Sequence, residues 1–117
     1  MSPQTVAAPR TAFKVAWITL LAIAVLATVN HAALIFVMAG EETLFIGWTA
    51  YTAYAAITIW LPFRRGERWA WYATWILVLG FASTVLFDAT IGIAYLVAAG
   101  VMAGCLMLAR GVFFANS

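Results

Sequence analysis

Residues 63–71 read F-R-R-G-E-R-W-A-W, and this stretch decides how the chain folds. It is the only dense charge cluster in a sequence of 117 residues that is 67% hydrophobic and 9% charged, with a mean hydropathy of +1.03. Soluble domains carry roughly 25% charged residues. This chain therefore belongs to the bilayer and not to water.

Working outward, the charge-free runs are 15–40, 43–63, 69–87 and 89–109. Each approaches or exceeds the roughly 18 apolar residues that a spanning helix needs. The expected fold is all-α: an integral membrane four-helix bundle of two antiparallel hairpins, with helices at about 15–39, 44–61, 69–87 and 90–109 inside a domain of residues 14–110. Residues 1–13, with Pro3 and Pro9, read as a polar tail rather than a helix, and residues 111–117 as a C-terminal tail. Four crossings use up nearly all of these residues, so function is expected in the helices, the three short turns and the polar N-terminal tail.

All six basic residues, Arg10, Lys14, Arg64, Arg65, Arg68 and Arg110, fall before helix 1, between helices 2 and 3, or after helix 4. Three of the four acids, Glu41, Glu42 and Asp88, fall in the two opposite turns. The positive-inside rule then places both termini and the 64–68 loop in the cytoplasm. Retention against anionic headgroups accounts for the basic loop without any nucleic-acid partner. Trp17, Trp48, Trp60, Trp69 and Trp71, together with Arg64, Arg65 and Arg68, read as membrane-interface anchors. Pro62, which lacks an N–H, should end helix 2, and Gly66 should allow the reversal.

Polar side chains inside a membrane are costly and tend to face the bundle interior. They gather here near the Glu41 and Asp88 turns. His31 is the only histidine and lies ten residues before Glu41, about 15 Å along a helix. It admits three roles. It can hydrogen-bond neighbouring helices and specify packing. It can line, with Asn30, Tyr51, Tyr54, Thr84 and Asp88, an outer-half pocket for a lipid, quinone or other amphipathic molecule. Or it can ligate haem axially, with Met38 or a second copy's histidine as the opposite ligand.

A fourth feature is G-x-x-x-G at Gly100 and Gly104, extended by Gly92 and Leu96, which reads as a helix-packing surface. Cys105 is the only cysteine, so the chain has no internal disulfide. No nucleophile elbow, metal-ligand spacing or phosphate-cradling loop is present. The leading expectation is thus a non-enzymatic accessory subunit or self-associating bundle. The alternative is a binding protein, conceivably an enzyme, built around the polar pocket.

The loop R-R-G-E-R-W-A-W at residues 64–71, followed by an apolar run, resembles that of small, uncharacterised four-helix inner-membrane proteins of bacteria. The resemblance implies a multi-pass protein of the bacterial plasma membrane. It transfers no activity and no catalytic residue.

Overall fold

The computed structural model describes residues 3–114, with side chains from Arg10 onward. Four long helices make up nearly all of it: α1 (Pro3–Val37), α2 (Glu42–Thr58), α3 (Arg68–Ser83) and α4 (Ala89–Phe114). With the turns that continue α2 and α3, the segments Arg10–Val37, Glu42–Phe63, Arg68–Leu86 and Ala89–Phe114 are each long and apolar enough to cross a membrane. Among the described residues there is no strand.

The inner stripes follow helical spacing. Ala16, Leu20, Ala24 and His31 of α1 are buried, as are Ala70, Thr74, Leu77, Val78 and Phe81 of α3. On α4 the stripe is Gly92, Ala99, Met102, Leu106, Ala109 and Phe113. The outer surface is as apolar as the core: Leu26, Phe36, Leu79, Leu86 and Val97 are all exposed. Such an inversion of the soluble pattern is stable only where the surroundings are hydrocarbon.

Contacts are unequal around the bundle. The α1–α2 seam is the most extensive, followed by α3–α4 and α1–α4, while α2 and α3 touch sparsely. Small residues explain the first seam. Thr52 is fully buried on the Thr/Ala face of α2, and its hydroxyl meets that of Thr28 at 3.1 Å. At one end of the bundle Phe13, Phe63 and Phe113 cluster, with ring centroids 4.8–5.9 Å apart.

Several boundaries differ from the sequence expectation. The 1–13 tail is helical from Pro3 onward. Proline is tolerated in a first turn, and the long apolar run propagates the helix through Pro9 despite the lost hydrogen bond. At the other end α4 continues to Phe114, so residues 111–114 of the expected tail are helical, and residues 1–2 and 115–117 lie outside the described part.

Pro62 does not end the helical winding. Residues Ile59–Phe63 widen into a π turn, in which the Arg64 amide donates to the Ile59 carbonyl at 3.1 Å. The wider winding gives the ring room that a regular α turn would deny it. Reversal then comes at Gly66, at φ +80°, a conformation that favours glycine.

Helix α3 stops at Ser83, four residues early, and tightens into a 3₁₀ turn at Thr84–Leu86. Gly92 explains the tight junction that follows. A β-carbon there would overlap the backbone of Val85, so only glycine lets the first turn of α4 approach this closely.

Candidate functional site

The polar centre of the bundle is His31. It is 1% exposed, and its Nε2 lies 2.7 Å from the Tyr95 hydroxyl across the α1–α4 seam. The imidazole and phenol planes are nearly parallel, 4° apart with centroids at 6.0 Å. Trp48 of α2 packs on the imidazole at 5.3 Å, and Phe81 of α3 meets Tyr95 edge-on at 5.1 Å. Each of the four helices thus contributes one ring to a single aromatic cluster.

Nδ1 of His31 is enclosed and has no hydrogen-bond partner. A neutral imidazole has one donor and one acceptor nitrogen. The less costly arrangement makes Nε2–H the donor to Tyr95 and leaves only a lone pair unmatched at Nδ1. The Tyr95 hydroxyl is then free to donate in turn. Beside it sits the Asn30 carboxamide, at the wall of a groove between α1 and α4. A polar path therefore runs from the buried imidazole, through the phenol, to the lipid-facing surface.

This groove has a volume of ≈ 540 Å³ and is otherwise apolar, with Leu26, Ala27, Phe81, Ile91 and Ala98 on its walls. Two further grooves follow the loose α2–α3 seam, of ≈ 780 and ≈ 370 Å³. Tyr51 divides them, its hydroxyl donating to the Ile76 carbonyl of α3. Gly80 makes room for this strap, since a β-carbon there would approach the Tyr51 hydroxyl to 2.5 Å. Asn30 and Tyr95 line the α1–α4 groove and neither of the seam grooves, which sets it apart.

Of the residues expected to line one pocket, the structure brings together only Asn30 and His31. Tyr51 touches the cluster through Trp48, at 5.7 Å, but its hydroxyl serves the α2–α3 seam. Tyr54 is 77% exposed and lines the smaller seam groove. Thr84 bonds back to the Gly80 carbonyl at 3.2 Å. Asp88 accepts the amides of Thr90 and Ile91 at 3.0 and 3.1 Å, which makes it the N-terminal cap of α4. The 3₁₀ turn breaks the i, i+4, i+8 register that would have aligned Gly80, Thr84 and Asp88.

The expected anchors also divide. Trp17 and Trp60 pack edge to face at 6.0 Å, and the Arg64 guanidinium lies 4.3 Å from the Trp60 ring, as an interfacial cluster would. Trp69 is exposed beside Glu67. Trp48, however, belongs to the His31 cluster. Trp71 turns inward, its indole N–H donating to the Leu106 carbonyl at 2.9 Å. Arg68 donates to the Phe113 carbonyl at 2.9 Å and so satisfies the last turn of α4. Arg65 is exposed in the loop.

The glycine face splits as well. Steps of four residues advance about 40° on a helix of 3.6 residues per turn, so Gly92 stands about 120° from Gly104. Gly92 is buried against Val85, whereas Leu96, Gly100 and Gly104 point away from the bundle. Among the described residues, and apart from the backbone of α4 itself, nothing comes within 4 Å of a β-carbon built at Gly100, Gly104 or Gly111.

Haem ligation does not fit these residues. Nε2 of His31 is engaged by Tyr95, and Nδ1 is enclosed. Met38 lies seven residues farther on, just past the end of α1, and cannot face the histidine across an iron atom. Among the described residues no group of three or more His, Cys, Asp or Glu is placed to hold a metal ion. Cys105 is buried.

Tyr95 and Phe81 were not among the expected site residues. Their signal was periodicity: Gly92, Tyr95, Ala99 and Met102 follow one another at spacings of three and four, and Phe81 lies three and four residues after Val78 and Leu77, which lie four and three after Thr74. Compared with protein-family models, with curated proteins and with solved structures, the chain matches none.

Proposed function

We propose that this is a small integral membrane protein that acts through helix contacts within the bilayer, either as an accessory subunit of a membrane complex or as a self-associating bundle. Its four helices form two antiparallel hairpins in a bacterial plasma membrane, with both termini and the Arg64–Arg68 loop on the cytoplasmic side. Support for the topology is the separation of all six basic residues from the Glu41, Glu42 and Asp88 turns.

One observation carries the contact function, namely the bare outer face of α4. A glycine within a helix costs about 1 kcal/mol relative to alanine, and among the described residues nothing crowds the β-carbon position of Gly100, Gly104 or Gly111 to require one. Small residues at such spacing let a second helix approach closely enough for dispersion and Cα–H···O contacts. Leu96, which is 46% exposed, stands at one end of this strip. The test is size and composition after mild detergent extraction. The wild-type chain should isolate as an oligomer or with a stoichiometric partner, and Gly104→Leu should release a folded monomer. A wild-type monomer without partners contradicts the reading.

A second reading, a binding protein for an amphipathic small molecule, is favoured by the polar path from His31 through Tyr95 and Asn30 to the α1–α4 groove. It requires no catalysis.

A further inference from the structure

We infer that the end of the bundle where α1 meets the π turn holds one anionic phospholipid, its phosphate gripped by Arg64 beside Lys14 and its glycerol and upper chains laid on Trp17 and Trp60. The inference is independent of the contact function above and of which leaflet this end faces.

Retention against a charged surface needs only cations near it, whereas Arg64 is fixed in place. Its Nε donates to the Trp60 carbonyl at 3.0 Å, and its guanidinium lies 4.3 Å from the Trp60 ring and 5.8 Å from that of Trp17. The two indoles are themselves packed edge to face at 6.0 Å. One N–H is thus spent on the backbone. The two terminal amino groups remain, in the planar fork that matches two oxygens of a phosphate. Among the described residues no carboxylate pairs with Arg64. Glu67, the only described acid at this end, accepts instead from the Trp69 indole at 3.3 Å.

Lys14 adds charge at the same place. Phe13 and Phe63 stack at 5.9 Å inside the seam, and their chain neighbours Lys14 and Arg64 are both exposed. Lys14 stands three residues before Trp17, on the face of α1 whose ring Arg64 covers, and exposed Arg10 continues that face four residues earlier. Three cations without a neutralising acid select a head of net negative charge, because a zwitterionic head brings a cation of its own that they repel. The rings select a lipid over a soluble phosphate. Trp60 is exposed, with Ile18 and Leu61 exposed on the same two elements, and offers the amphipathic surface that suits the junction of headgroup and chain.

Arg110 of α4 supplies the control. It is exposed at the same end, but no aromatic ring is stacked on it among the described residues. The full-length chain in mild detergent is titrated with palmitoyl-oleoyl phosphatidylglycerol, and separately with the ethanolamine lipid of the same chains, and bound lipid is counted by native mass spectrometry. One equivalent of the glycerol lipid per chain should bind about tenfold more tightly than the ethanolamine lipid. Arg64→Gln should weaken it about tenfold, as loss of one charge-assisted hydrogen bond does, and Arg110→Gln should leave it almost unchanged. Arg64→Lys keeps the charge but loses the fork and the stacking, so it should still weaken binding several-fold; it carries the test if Arg64→Gln does not fold. Equal affinity for the two lipids, equal losses from Arg64→Gln and Arg110→Gln, or full affinity in Arg64→Lys would each show diffuse attraction and overturn the site. Displacement of the lipid by millimolar glycerol 3-phosphate would overturn the assignment to a lipid.

Discussion

His31 and Tyr95, 64 residues apart in the chain, bring an imidazole nitrogen and a phenol oxygen to 2.7 Å across the α1–α4 seam. This side-chain hydrogen bond joins two helices inside the bundle, and it fixes the rotation of α1 against α4. Tyr95→Phe removes the partner and keeps the ring. It should destabilise the bundle by about 1 kcal/mol, since interhelical hydrogen bonds in membranes average about 0.6 and reach about 1.7 kcal/mol. Reversible unfolding in mixed micelles measures it.

Gly92 and Gly100 make opposite predictions although both are glycines of α4. Gly92→Ala drives a methyl group into the Val85 backbone and should cost about 1–3 kcal/mol, as overpacking does. A β-carbon at Gly100 meets nothing within 4 Å among the described residues, and Gly100→Leu should leave the unfolding midpoint of the isolated bundle almost unchanged. Parallel unfolding of the two variants checks the contrast, and equal effects would contradict it.

Gly80→Ala should dislodge the Tyr51 strap and loosen the sparsely packed α2–α3 seam by about 1 kcal/mol. Tyr51→Phe in the Gly80→Ala background should add little further loss, because the hydroxyl bond to Ile76 is already broken. A double-mutant cycle reads the coupling directly.

Topology is checked by cysteine labelling in intact cells, in a Cys105→Ala background. Glu41→Cys should react with an impermeant maleimide added from outside, and Arg65→Cys only after the membrane is opened. The reverse pattern would turn the protein over.

Much of this was legible in the residues, and the losses have identifiable causes. Charge-free length located all four helices, because the bilayer leaves the backbone no alternative to a helix. The rarity of polar groups in a span also singled out His31, which is buried against Tyr95, whereas Asn30 beside it in sequence is exposed. What failed were inferences from residue type alone. Tryptophan was read as an interfacial residue, yet Trp48 and Trp71 lie on inward stripes, and the spacing from Trp48 to Thr52 and Ile59 already pointed inward. Proline was read as a terminator, yet a π turn absorbs Pro62. Asp88 was read as a pocket acid, when its place just before α4 made it a cap. The three-residue tightening at Thr84–Leu86 left no sequence signal and carried Thr84 and Asp88 out of register.

The most direct measurement of the central claim is disulfide crosslinking in native membranes, with Gly100→Cys in a Cys105→Ala background and Val29→Cys as the lipid-facing control on α1. Val29 is 63% exposed. If the outer face of α4 is the working surface, oxidation of Gly100→Cys gives a discrete species, at twice the chain mass or joined to one partner, and Val29→Cys gives none. Failure of Gly100→Cys to crosslink, or equal yields from both positions, would show that this face meets only lipid and would contradict the account.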